Sequence, residues 1–207
     1  TNKPVTHVVN THHHGDHYLG NVAFGGATFI SSEMCRKMVL ETGHEWLGIM
    51  ERDIGRKLPG TRPLAAGVTY PAGTKTEKFI HGVRLEFWVP QGSHTIGDLL
   101  VHLPDDKVLV AGDVLVSRVV PTLQDGFLKN WIRTLGARIV KLDVKEWSTE
   151  KGFDAKIGEG DVDWPAVRQA LREIGFSGWC TAEVAGGDRA WLADVAQRMD
   201  QVLLVQD

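Results

Sequence analysis

The chain has 207 residues, of which 43% are hydrophobic and 24% charged, with a formal net charge of -3; this balance suits a globular protein with a sizeable core and excludes a disordered tail. The near-neutral charge gives no electrostatic ground for a nucleic-acid partner. No run approaches the ~18 apolar residues of a membrane span and no basic start leads into an apolar segment, so no membrane partner and a cytoplasmic location are expected. Cys35 and Cys180 fit a reducing compartment and read as small core residues.

The first element is a strand over Val5–Asn10, which reads as buried. It opens into Thr11-His12-His13-His14-Gly15-Asp16-His17, where four metal-binding side chains, His12, His14, Asp16 and His17, fall close together. In an extended segment His12 and His14 point to the same side, Asp16 and His17 come round through a turn, and His13 points away. Imidazoles and a carboxylate are the ligand set of a catalytic zinc site, which keeps one position open for water.

A second strand is expected over Ala27–Ile30, then a helix from Met34 to about Met50 with Ser31 or Ser32 as its cap and Glu33 in its first turn. Gly55 to Gly73 reads as a loop. Lys78–Val89 reads as a hairpin turning at Gly82, with His81 a solvated polar residue.

Chemistry returns in Gly92-Ser93-His94-Thr95-Ile96-Gly97-Asp98, followed by a strand over Leu99–Leu103. A turn at Pro104–Lys107 leads to Val108–Ala111, read as a buried strand, and to Gly112-Asp113. In a hairpin of equal arms, His94 before one strand and Asp113 after its partner lie at the same end. His102 lies near the far turn and reads as a surface residue.

Beyond Asp113, Gln124-Asp125-Gly126 reads as a turn and Phe127–Leu135 as a helix carrying Trp131. Arg138–Lys145 alternates like a strand. Trp164–Ile174 is an amphipathic helix with Asp163 as cap and Pro165 in its first turn, Trp179–Val184 a strand, and Asp188–Leu203 a closing helix. Strand, helix, strand, helix favours a parallel strand pair.

The segments T-H-H-H-G-D-H, G-S-H-T-I-G-D and V-L-V-A-G-D, in that order, resemble the metallo-β-lactamase fold superfamily over about residues 3–135. The first matches its H-x-H-x-D-H signature, the second its third histidine and the third its bridging aspartate. The Q-D-G-F-L-K-N-W-I stretch is similar to members of the broader hydrolase branch. The resemblance implies that His12, His14 and His94 bind one metal, that Asp16 and His17 bind a second, and that Asp113 bridges them. It implies a zinc-dependent hydrolase in which a metal-bound hydroxide, oriented by Asp16, attacks an ester, thioester, lactone or lactam-type small-molecule substrate. Two departures stand out. The family's last histidine for the second metal has no counterpart, since no histidine follows His102, and the strands with which the family normally begins would lie before Thr1.

Residues 136–207 are similar to the end of a sugar phosphate isomerase/epimerase TIM barrel, carried by K-I-G-E-G-D-V-D-W-P-A-V-R-Q-A-L-R-E-I-G-F-S-G-W-C-T-A-E-V and by V-K-L-D-V-K-E-W. That resemblance makes Glu183, ending the last strand, a possible metal-binding carboxylate, while Asp143 stands where a histidine is common. About 70 residues cannot close a barrel of ~250 residues. The reading is therefore an α/β chain with two parts: residues 1–135, a partial metallo-β-lactamase-like αββα sandwich that binds metal, and residues 136–207, a βαβα segment. Two alternatives stand beside the hydrolase: an isomerase/epimerase fragment that needs a partner, and a non-catalytic fused or truncated chain.

Overall fold

Short apolar runs separated by Gly and Asp turns produce nine strands and five α-helices in a computed structural model that describes residues 3–115, 126–139 and 141–204. Residues 124 and 125 of the predicted Gln124–Gly126 turn, and residue 140 of the predicted Arg138–Lys145 strand, lie outside the described residues. The chain divides into two compact units, Thr1–Phe127 and Leu128–Asp207. Among the described residues no helix is long and apolar enough to cross a membrane.

In the first unit, β1 (His7–Val9), β2 (Thr28–Ser32) and β3 (Val68–Tyr70) form a parallel sheet in that order. The antiparallel sheet comprises β4 (Thr74–Ile80), β5 (Val83–Val89), β6 (Leu100–Leu103) and β7 (Val108–Val110). Ile30 from the first sheet packs with Phe87, Val89, Leu99 and Val101 of the second, so the two sheets share one core. The β4–β5 hairpin turns on His81 and Gly82, whose φ angles of 49° and 81° are the pair of positive values a tight two-residue hairpin loop demands. His81 is exposed, as the sequence reading expects.

A 21-residue helix, α2 (Glu33–Asp53), follows β2. Ser32 caps it, its hydroxyl accepting from Cys35 N at 2.9 Å. Cys35, Val39, Trp46, Leu47 and Met50 pack against Tyr18 and Leu19, residues of the one-turn helix α1 (Gly15–Tyr18) and the 3-10 turn Leu19–Ala23 behind it.

Three expectations are corrected. The segment 55–73, read as a loop, contains β3, whose three residues are too few to give a pattern. The opening strand is shorter than expected, and Val5 is 46% exposed. Val108–Val110 is a strand but not a buried one: Val108, Leu109 and Val110 are 45–46% exposed because β7 is the edge of its sheet.

The second unit contains α3 (Leu128–Leu135), β8 (Lys141–Val144), α4 (Trp164–Glu173), β9 (Trp179–Ala182) and α5 (Arg189–Leu203). The strands β8 and β9 are parallel, in the βαβα order expected. The sequence reading assigns α3 to the part ending at residue 135, whereas Ile132 of α3 joins Val144, Val167, Leu171 and Val195 in the core of the second unit. Asp163 and Asp188 cap α4 and α5 by accepting from Ala166 N at 3.0 Å and Trp191 N at 2.8 Å.

Between β8 and α4 the chain folds around Glu146, which is 1% exposed. Its carboxylate accepts from Trp147 N (3.1 Å), Gly158 N (2.8 Å), Val162 N (3.3 Å) and Trp164 Nε1 (2.8 Å). Removing the acceptor strands several buried donors, each costing ~1–3 kcal/mol, so Glu146→Ala is expected to lose about 3 kcal/mol or more. Urea unfolding followed by tryptophan fluorescence measures this; a loss under about 0.5 kcal/mol, the size of a surface substitution, contradicts it.

Candidate metal centre

Three chain segments converge at one end of the first unit's sheets. The first leaves β1, where Asn10 N donates to Ile30 O at 2.9 Å. The buried Asn10 and Asn21 side chains form a reciprocal amide pair, both bonds 2.9 Å, and Asn10 also reaches His17 O at 3.1 Å. This pair fixes the path of residues 11–17. Leu99 N donates to Thr11 O at 2.7 Å, tying the same loop to the start of β6.

The segment carrying His94 folds around Asp98. This buried carboxylate accepts from Ser93 N (3.1 Å), Thr95 N (2.9 Å) and Thr95 Oγ1 (2.8 Å). Burial pushes the Asp98 carboxyl pKa up, against those hydrogen bonds. The Ser32 hydroxyl that caps α2 donates to Gly97 O at 2.6 Å. A Cβ on Gly97 would lie 2.6 Å from Cys35 N, so only glycine lets this loop close onto the helix. Asp113 arrives from β7 through Gly112, whose φ is +52° and whose added Cβ would sit 2.7 Å from Thr11 Oγ1.

His12, His14, His17, His94 and Asp113 then meet in one cluster. Two groups have ligand atoms all within 4.8 Å of one another: His12, His14 and His94, and His12, His17 and Asp113. His94 Nε2 lies 3.3 Å from His14 Nδ1. Asp113 faces both groups, with Oδ2 at 4.0 Å from His12 Nε2 and 3.7 Å from His94 Nε2, and Oδ1 at 3.5 Å from His17 Nε2. Asp16 is 62% exposed at the rim, its Oδ2 3.2 Å from His17 Nε2, and it belongs to neither group.

The remaining predicted residues stand apart from these groups. Glu183 follows β9 in the second unit and pairs with Lys145 Nζ at 3.0 Å. Asp143 pairs with Lys141 Nζ at 2.7 Å and with the Thr181 hydroxyl. His102 pairs with Glu86 at 2.8 Å. His13, expected to point away, is 3% exposed with its ring 5.2 Å from that of His14.

Two residues the motif reading passes over touch the cluster. Trp46 on α2 lays its ring 4.7 Å from that of His14; the stripe Cys35, Val39, Gly43, Trp46, Met50 at helical spacing carries that signal in the sequence. Thr11, directly before the first histidine, has its hydroxyl 3.2 Å from His12 Nδ1.

The electrostatics suit a cation. Burial first, then the neighbouring imidazoles His17, His14, His94 and His13, lowers the His12 pKa to about 2. His94 is lowered too, by burial and then by His14, against the pull of Asp98 and Asp113. Both rings are thus held neutral, the form that coordinates metal. His12 Nε2 is buried with no hydrogen bond among the described residues, a cost of ~1–3 kcal/mol that coordination would remove. Two nitrogens on a tetrahedral zinc, with bonds of ~2.0–2.1 Å, are separated by ~3.3 Å, which is the His14–His94 spacing. The donor set therefore fits a divalent metal ion.

The sequence model of the metallo-beta-lactamase superfamily matches residues 1–165. The chain belongs to that superfamily. A curated relative, the hydroxyacylglutathione hydrolase of Rhizobium etli, is 30% identical over 112 residues, covering 54% of this chain and 34% of that protein. The chain thus spans about a third of that relative's length. Among solved structures, the BLEG-1 B3 metallo-beta-lactamase has a TM-score of 0.50 at 18% identity, over 64% of this chain and 61% of that one. A metallo-beta-lactamase family protein from Thermus thermophilus has a TM-score of 0.45 at 24% identity, over 63% of this chain and 50% of that one. The superfamily fold is that of metal-dependent hydrolases, and the His/Asp cluster lies within the matched residues.

The neutral His12 makes a pH prediction for the metal-stripped protein. The unfolded chain protonates this ring near its ordinary 6.5 and the folded chain only near 2. Stability is therefore independent of His12 above 6.5 and is lost as pH falls below it, by about 1.4 kcal/mol per pH unit. Urea unfolding of metal-stripped protein should show the wild type losing about 2 kcal/mol more than His12→Phe between pH 8 and pH 5, the lowered His94 being common to both. Equal slopes for the two proteins would contradict it.

Proposed function

We propose that the chain is a zinc-dependent hydrolase of a small-molecule acyl substrate, with His12 Nε2, His14 Nδ1 and His94 Nε2 holding the first ion. The reading is carried by those three converging nitrogens and by the buried His12 Nε2 that has no hydrogen bond. Zinc at such a site supplies a Lewis acid and brings the pKa of bound water to about 7.

The chain's own residues divide the rest of the work. His17 and Asp113 are assigned to a second ion, with Asp113 between the two groups. Asp16, open to solvent at the rim, is assigned to orient the attacking water and accept its proton. Trp46 shields one face of His14 and helps keep bulk water from that side. Among ester, thioester, lactone and lactam substrates, the hydroxyacylglutathione hydrolase relative favours an acyl thioester.

Metal analysis with a panel of ester, thioester, lactone and lactam substrates tests this. His12→Ala and His94→Ala are expected to lose bound zinc and to reduce hydrolysis by more than the ~10–100-fold that follows loss of an outer partner. Asp16→Asn should keep the first zinc and lose turnover. Wild-type protein that retains no zinc, or alanine variants with unchanged zinc content and activity, would sink the proposal.

A second reading makes residues 136–207 the end of an isomerase/epimerase barrel. It draws on the parallel β8–β9 pair joined through α4 and assigns Glu183 to a metal. Sugar phosphate turnover abolished in Glu183→Gln and retained in His12→Ala is the outcome that would favour it.

A further inference from the structure

We propose that Thr11 is a positioning residue whose single hydroxyl sets the tautomer of both His12 and His17, and thereby links the two metal-competent groups. Thr11 Oγ1 lies 3.2 Å from His12 Nδ1 and 3.4 Å from His17 Nδ1. The opposite nitrogen of each ring faces carboxylates that a bound cation would share, His12 Nε2 at 4.0 Å from Asp113, and His17 Nε2 at 3.5 Å from Asp113 and 3.2 Å from Asp16. A neutral imidazole carries one proton, and whichever nitrogen holds it cannot coordinate a cation. A hydroxyl oxygen has two lone pairs and can accept from both Nδ1–H groups. Both Nε2 lone pairs are then presented to the cluster.

The hydroxyl is itself held in place. Thr11 O accepts from Leu99 N at 2.7 Å, which anchors its backbone to β6. Gly112 packs directly on its side chain: an added Cβ would lie 2.7 Å from Oγ1 and 2.8 Å from Cβ. The glycine that delivers Asp113 thus also leaves room for the Thr11 rotamer that serves the histidines. His12 belongs to both metal-competent groups and His17 to the one with Asp113, so a change at Thr11 acts on both.

This inference rests on the metal-binding reading above, and the experiment separates the two. Zinc is titrated against a chromophoric chelator into metal-stripped wild type, Thr11→Val and Thr11→Ser, and the thermal midpoint of each metal-free protein is recorded. Valine keeps the shape and removes the acceptor; serine keeps the acceptor. Thr11→Val is expected to bind zinc ~10–100-fold more weakly, with Thr11→Ser near wild type and the metal-free midpoints alike. Wild type and Thr11→Val of equal affinity overturn the role of Thr11 and leave the metal reading standing. Equal weakening in both variants shows packing instead of acceptance and also overturns it. A wild type that binds no zinc removes both readings. Imidazole nitrogen NMR on the zinc-saturated wild type needs no variant to fold: His12 and His17 are both expected as Nδ1–H tautomers, and an Nε2–H ring at either position overturns the proposal.

Discussion

Burying His12 as a neutral ring among other imidazoles is the constraint on which the first unit depends. A cationic His12 is excluded by desolvation and by four neighbouring rings, and its buried Nε2 has no hydrogen bond among the described residues. Nothing in the local sequence of residues 11–17 compensates for that. The restraint comes from elsewhere: the Asn10–Asn21 amide pair, the Asp98-centred loop, the Ser32 cap and Gly112 each pin one of the approaching segments. Functional sites commonly hold groups in arrangements that are unfavourable locally and sustained by the surrounding fold.

This division explains what could be read in the sequence. The histidines and Asp113 were legible because their chemistry is local: few residue types coordinate metal, and they fall in three short motifs. The hairpin argument for His94 and Asp113 was legible in outcome, since the two side chains approach to 3.7 Å, though for a more specific reason than equal arms. The register Val101↔Val110 places position 98 opposite 113, and it is the fold of residues 93–98 around Asp98 that returns His94 to the same end. Helix α2 with a cap at Ser31 or Ser32, α4 with its Asp163 cap, and α5 from Asp188 onward were legible because helix starts are decided within one turn; the structure makes Ser32 and Asp188 the caps. What failed was decided by distant partners. The apolar pattern of Val108–Val110 does not distinguish a central strand from an edge, and β3 exists only because β2 supplies a partner for three residues. Thr11 and Trp46 have common side chains whose roles arise from what lies beside them.

The second unit makes the same point with two carboxylates. Glu183 drew attention in the sequence because it ends a strand, yet it is ion-paired with Lys145 and lies outside both metal-competent groups. Glu146 lies within the V-K-L-D-V-K-E-W stretch without being singled out there, and it is the buried one, with four donors around it. A carboxylate so fully satisfied is a structural hub: its lone pairs are committed to the backbone of residues 147–162 and to the Trp164 indole. The superfamily match extends to residue 165, across this hub and into α4, so the resemblance of residues 136–207 to a barrel end covers ground the superfamily match also covers.

On the proposed metal reading, the sharing of His12 sets an order between the two ions. Only one His12 nitrogen faces the cluster, because Nδ1 lies against Thr11, and one lone pair serves one ion. If His12 Nε2 coordinates with His14 and His94, the second group retains His17 and Asp113 as ligands, fewer than the three protein ligands usual at a catalytic zinc site. Asp16, 3.2 Å from His17 Nε2, is a further carboxylate within reach, and recruiting it would take from the rim the group assigned to the attacking water. The second ion would then bind more weakly than the first. Its occupancy would vary with zinc concentration, while the first ion, held by three imidazoles, two of them buried, would set the resting state of the site.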